Sequence, residues 1–203
     1  DYIGNDRFRV MAWPGFQAID KNYRKMFGLP RPMLHQMLCS PSLVWKAILD
    51  KEKIENFIPM RYGYIVKNGK RMRRLIPAIH NLVFIHSTRK RIDALKDTLE
   101  GSMPIRFIMD REYSRPVIIP DEQMRSFILV AGTYDEAILY VESAELHLVK
   151  GQKVRITAGV FEGVIGEFVR IRHDRRVVVN IEGVMAIATT YIHPSLVEPI
   201  VEL

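Results

Sequence analysis

A single cysteine, Cys39, stands in the 203 residues of this chain. One thiol excludes an intrachain disulfide and any cysteine-based zinc cluster, and it fits a reducing cytoplasm. Long hydrophobic runs are missing too. No stretch approaches the ~18–20 apolar residues that cross a bilayer, and no basic-then-apolar signal segment opens the chain. These features lead us to expect a cytoplasmic protein with no membrane partner. Acids are scarce relative to bases, 23 against 30, which leaves a formal charge of +7. Such an excess favours a polyanionic partner such as nucleic acid.

Catalytic signatures are absent as well. The six histidines, at 35, 80, 86, 147, 173 and 193, include no pair at the i, i+4 spacing of a helical metal site. There is no phosphate-binding GxxxxGK[ST] loop, no GxSxG elbow and no dinucleotide fingerprint. Asp121-Glu122 follows Pro120, where capping a helix explains the pair better than acid–base work. Cys39 reads as a buried structural thiol rather than a nucleophile. The expectation is a non-enzyme with no cofactor and no metal.

What is present falls into three parts. In residues 1–41, Phe16, Ile19, Tyr23 and Met26 recur at helical spacing before Gly28 and Pro30, and a second short helix starts at Pro32. This part reads as a helical N-terminal extension. From residue 42 to 141 the pattern is mixed. Tyr62 to Val66 reads as strand, and Asn68-Gly69 is the strongest short hairpin signal. Leu82 to Ile85 has the apolar run of a central strand, Thr88 to Gly101 reads as helix, and Ile105 to Ile108 as strand. Asp121 is positioned to cap a further helix that Gly132 closes. Residues 142–149 read as a linker. From 150 to 203, short Val- and Ile-rich runs broken by turn residues indicate a small barrel.

Cations cluster in "RYGYIVKNGKRMRR", Arg61 to Arg74, which holds six of them and no acid, with Tyr62 and Tyr64 interleaved. A phosphate-tracking surface needs this combination, because Arg and Lys release counterions and aromatic faces stack bases. A solvated hairpin whose charges keep strand edges apart is the bland alternative. Lys67, Lys70, Arg71, Arg73 and Arg74 are the first nucleic-acid candidates, with Arg89, Lys90 and Arg91 as a second group. The run Arg170 to Arg176 reads at least as well as an ordinary polar turn.

Two stretches together carry a resemblance. "KGQKVRITAGVFEGVIGEFVRI" and the strands after it resemble the KOW domain of NusG-type transcription factors, through Gly151, Val154, Arg155, Gly159, Phe161, Gly163 and Gly166. Val160 stands where that family usually has Pro. Upstream, "ENFIPMRYGYIVKNGKRMRRLIPAIHNLVFIH" resembles the middle of the NusG N-terminal domain, through Pro59, Pro77, Asn81, Phe84 and Ile85. Ile79, His80 and Leu82 replace the usual Phe, Pro and Tyr. Trp45 resembles the aromatic opening of the family's first strand, yet only eleven residues separate it from Phe57. The family normally fits a full helix there, so either the helix is lost or residues are absent from the sequence. The second reading is preferred, since a missing helix would bare a sheet face.

The resemblance implies an α+β fold: an N-terminal sheet domain covered by helices over 42–141, then a small all-β, SH3-like KOW barrel over 150–203. It implies a transcription elongation or antitermination factor, closer to the specialised RfaH-like paralogues, including those of Bacteroidetes capsule operons, than to housekeeping NusG. Partners implied are the clamp helices of RNA polymerase, DNA or nascent RNA near the elongation complex, and Rho or a ribosomal protein through the KOW barrel. Trp45, Ile79, Leu82, Phe84, Phe107 and Ile108 are the candidate polymerase-binding patch, of which Phe84 and Ile108 are the strongest core candidates. Gly159, Val160, Phe161, Gly163 and Gly166 are the candidate KOW loop, with Phe161 either a partner anchor or folded back into the barrel. The rival reading is an RNA-binding or ribosome-associated KOW protein that does not bind polymerase.

Overall fold

A computed structural model describes residues 7–12, 41–79, 81–98, 105–110, 112–142, 151–171 and 173–200. The helices expected at 16–28 and 32–38, Cys39, His80, Gly101 and all but Glu142 of the expected linker 142–149 lie outside the described residues; Glu142 ends a strand rather than opening a linker. The chain clusters into two compact units, Asp1–Ile58 with Ile79–Ile118, and Pro59–Ala78 with Ile119–Leu203. This partition differs from the expected division at 142–149: the hairpin segment and the helix after Pro120 cluster with the C-terminal strands.

The first unit is built on an antiparallel sheet. Its strands are β1 (Arg7–Ala12), β2 (Glu55–Phe57), β5 (Leu82–Ser87) and β6 (Arg106–Phe107), in the order β2-β5-β1-β6. β5 is paired on both edges, and its consecutive residues Leu82, Val83, Phe84 and Ile85 are all buried, so both of its faces are covered. β1 corrects the reading of 1–41 as a helical extension. Its run Phe8 to Met11 is buried and pairs with β5 in a register that sets Phe8 opposite His86 and Val10 opposite Phe84. The two rings of that first pair stack at 4.4 Å, and Glu55 holds His86 Nδ1 at 2.8 Å from the other side.

Helix α1 (Pro41–Lys51) corrects the other upstream expectation. Pro41 takes the first helical position, where its fixed φ suits and its missing N–H costs nothing. Val44, Trp45, Ile48 and Leu49 follow at i, i+1, i+4 and i+5 and are buried, the stripe of a helix packed on a sheet. Trp45 is thus a helix core residue, not the start of a strand, and no segment is wanting before Phe57, because the helix is the Trp45 segment itself. It ends in a Schellman motif. Lys53 N–H bonds Asp50 O at 3.1 Å, Ile54 N–H bonds Leu49 O at 2.9 Å, and Lys53 holds φ 53°. Helix α2 (Arg89–Thr98) starts under Thr88, whose Oγ1 accepts from Arg91 N–H at 3.2 Å.

The second unit holds the hairpin β3 (Met60–Lys67) and β4 (Lys70–Pro77), helix α3 (Asp121–Ala131), and a six-stranded antiparallel sheet. β7 (Ile118–Ile119) is where the chain passes from one unit to the next. The sheet runs β13-β9-β10-β11-β12-β8, from β8 (Leu139–Glu142), β9 (Gln152–Ile156), β10 (Ile165–Ile171), β11 (Asp174–Ile181), β12 (Met185–Ala188) and β13 (Val197–Pro199). β8 comes from the stretch expected to close the preceding domain, and it pairs with β12 from Leu139↔Ala188 to Glu142↔Met185. Leu139 and Val141 pack with Val169, Val178, Ala186 and Ala188. α3 buries Met124, Phe127, Val130 and Ala131. Asp121 does not cap it: Pro120 is the N-cap residue, makes no side-chain cap bond, and Asp121 opens the first turn.

Candidate nucleic-acid interface

Asn68 and Gly69 both adopt positive φ, 52° and 73°, the signature of a type I′ turn that matches the twist of paired strands. Asparagine tolerates this conformation and glycine adopts it without strain. The turn fixes the register of all eight pairs from Lys67↔Lys70 to Met60↔Pro77. Because side chains alternate and directly paired residues share a face, the cations divide. Arg61, Arg74 and Lys70 take one face, together with Ile65, Met72 and Ile76. Arg71 and Arg73 take the other, together with Tyr62, Tyr64, Val66 and Leu75.

On the second face each guanidinium lies over a ring. Arg73 is 4.0 Å from the Tyr62 centroid and Arg71 is 4.2 Å from that of Tyr64, within cation–π range. Arg73 also reaches the carboxylate of Glu136. The apolar members are exposed: Tyr62 40%, Tyr64 59%, Val66 75% and Leu75 39%. At the foot of the hairpin, Ala78 N–H bonds Pro59 O at 2.8 Å, and the Tyr140 hydroxyl donates to Met60 O at 3.2 Å. Burial pushes the Tyr140 phenol up to about 12, with the Arg61 charge opposing and Tyr134 adding to the rise. The sequence marked Tyr62, Tyr64 and the cations. It hid Val66 and Leu75, although the alternation Tyr62, Tyr64, Val66 carried that signal.

The second basic group belongs to the other unit and is partly committed to its own helix. Arg89 pairs with Asp93 at 3.4 Å, and Arg91 donates to Glu52 O at 2.8 Å. Lys96 lies 4.7 Å from the Phe107 centroid. Lys90 is exposed. In the run from 170 to 176, Arg176 holds the fold together. Its guanidinium donates to Ala137 O at 2.8 Å, Thr189 O at 2.7 Å and Asp174 at 3.2 Å.

Of the six apolar patch candidates, Trp45, Leu82 and Phe84 are buried at 2%, 6% and 0% exposure and serve the core. Ile79, Phe107 and Ile108 are half-buried and keep some surface. At the other end of the chain, Gly159 and Gly163 hold φ 90° and 85° around a tight turn closed by Glu162 N–H on Gly159 O at 3.1 Å. Val160 projects from it, 78% exposed, while Phe161 is folded in at 6%. Of the two alternatives for Phe161, packing is the one the burial favours. Among the described residues, no group of three or more His, Cys, Asp or Glu could hold a metal ion, and no helix is long and apolar enough to cross a membrane.

Residues 34–128 match the family model described as transcription termination factor nusG. That stretch is similar to the NusG family domain. It spans α1, the basic hairpin, β5, α2 and most of α3, and it leaves β1 and residues 150–203 outside. A solved structure described as domain interaction in Thermotoga maritima NusG is similar at 18% identity, covers 96% of this chain and 97% of that chain, and superposes with a TM-score of 0.41. No curated protein matches the chain.

Proposed function

We propose that this protein is a transcription elongation or antitermination factor that docks on the clamp helices of RNA polymerase through its NusG-type portion. The observation that carries the reading is the NusG family match over residues 34–128, inside which the cation-rich hairpin falls. The docking patch reduces to Ile79, Phe107 and Ile108, because Trp45, Leu82 and Phe84 have no surface to offer. Lys70, Arg71, Arg73 and Arg74 face DNA or nascent RNA beside the enzyme. Residues 150–203 act as a KOW module whose tip at Val160 reaches a further partner such as Rho or a ribosomal protein. The basic hairpin and the departures from the family's usual Phe and Pro at Ile79 and His80 favour a specialised, RfaH-like role over a housekeeping one.

The test is co-purification of the full chain with core RNA polymerase, paired with run-off transcription across a terminator. Association and a change in read-through are expected, and Phe107→Asp is expected to weaken both. Absence of association together with unchanged read-through refutes the reading. Salt-sensitive binding to isolated ribosomal RNA without polymerase affinity would establish the ribosome-associated alternative instead.

A further inference from the structure

We propose that the Tyr62–Tyr64 face of the hairpin is a stacking platform for the unpaired bases of a single-stranded nucleic acid. The proposal deepens the nucleic-acid side of the function above and rests on it. Successive same-face residues of a strand are about 6.6–6.8 Å apart, roughly two stacking thicknesses of ~3.4 Å per base along a strand. On this face Arg73 lies 4.0 Å from the Tyr62 centroid and Arg71 lies 4.2 Å from that of Tyr64. One guanidinium thus steadies each ring on an exposed face, which limits the side-chain freedom that binding a base would otherwise remove. Each Arg is the cross-strand partner of the next residue toward the turn, Arg73 of Tyr64 and Arg71 of Val66, so the lean is diagonal and repeated.

Two further observations select the ligand. The aromatic and aliphatic members of this face are exposed, and Tyr64, at 59%, is the most open aromatic of the hairpin. An apolar protein partner would have to strip water from Arg71 and Arg73 as it covered them, at high cost. A polynucleotide offers phosphate to the guanidiniums and a ring to the tyrosines at the same time. A duplex keeps its base faces stacked inside, so the platform selects unpaired strands. Segment 61–74 brings six cations and no acid to the same hairpin, which suits a polyanion. The eight residues of each strand extend about 26 Å, enough for about eight stacked nucleotides at ~3.4 Å each.

The experiment measures fluorescence anisotropy of the full chain with four 12-mers: oligo-dT, oligo-rU, an abasic DNA strand of equal phosphate number, and a duplex. Binding to oligo-dT or oligo-rU at least tenfold tighter than to the abasic strand is expected, and whichever of the two binds more tightly identifies the strand as DNA or RNA. Tyr64→Leu should erase the preference over the abasic strand, while Tyr64→Phe should keep it. Arg74→Gln, on the opposite face, should weaken all strands alike and lower the salt slope by about one. Equal affinity for abasic and base-bearing strands, preference for the duplex, or full affinity in Tyr64→Leu overturns the proposal. Circular dichroism of each variant guards against misfolding. Polymerase co-purification of Tyr64→Leu separates the two readings. Polymerase association with no base preference refutes the platform alone, and base preference without polymerase association refutes the transcription reading alone.

Discussion

Gly166→Ala isolates the reason a β-rich segment tolerates glycine in mid-strand. Gly166 pairs with Val154 of β9, and its neighbour Glu167 pairs with Val178 of β11. A Cβ built on Gly166 would lie 2.4 Å from Val178 O and 2.9 Å from both Val177 Cγ1 and Val178 C. Real Cβ atoms essentially never come closer than 3.0 Å to such atoms, so relief from 2.4 to 3.0 Å takes at least 0.6 Å of movement. The obstacle is backbone, and β11 has nowhere to retreat, since Val177, Val178 and Val179 are buried and β12 is paired behind them. Forced overpacking of this kind costs about 1–3 kcal/mol. Reduced freedom of the unfolded chain offsets about 0.4–1 kcal/mol, so at mid-range values the steric term wins by about 1.3 kcal/mol. At about 2–4 °C per kcal/mol for a chain of this size, the melting temperature should fall by roughly 3–5 °C. Gly63→Ala supplies the control. Its Cβ meets Ile76 Cδ1 at 2.3 Å and Cγ1 at 2.9 Å, but both belong to one half-buried side chain rather than to backbone, and that side chain can turn away, so its effect should stay within about 0.5 kcal/mol. Thermal melts followed by circular dichroism decide the matter. An unchanged or raised melting temperature in Gly166→Ala, or an equal loss in Gly63→Ala, refutes the reasoning.

Three other outcomes follow from the geometry. Lys53 occupies the left-handed position that ends α1 at φ 53°, so Lys53→Gly should stabilise the chain by about 1 kcal/mol, read as a higher urea midpoint. Leu82→Asp should abolish cooperative melting rather than selectively weaken docking, because it places a charge at a site only 6% exposed in the central strand. A well-folded Leu82→Asp protein on the same melt would show that the site can hydrate. Tyr140 titrates near 12 in the fold and near 10 when unfolded. The raised value means its stabilisation is complete below pH 10, declines as the unfolded chain ionises first, and is gone above pH 12. Urea midpoints should therefore drop less between pH 9 and 11.5 in Tyr140→Phe than in the parent chain.

How far the sequence can be read depends on where each element finds its partner. The hairpin is legible because its information is local: Asn68-Gly69 dictates the turn, and the turn dictates eight pairs. β5 is legible because burial on both faces leaves an unbroken apolar run from Leu82 to Ile85. β1 is not, because its partners in β5 lie seventy or more residues away, and six residues carrying two arginines announce no sheet. One of those arginines, Arg9, is buried and donates to Ser87 O, a compensation that no spacing rule foresees. α1 escapes a reading that weighs Trp45 for its aromatic character against a family strand, although Val44, Trp45, Ile48 and Leu49 already hold a helical stripe. β8 looks like the end of a domain because its acidic flanks mask four residues that become a strand only when β12 is beside them. The candidate site follows the same division. Its charges are countable in the sequence, but the split of Arg71 and Arg73 from Lys70 and Arg74 exists only once the register is fixed. That register puts two arginines over two tyrosines, and so turns a merely basic segment into a face where guanidiniums and exposed rings stand together.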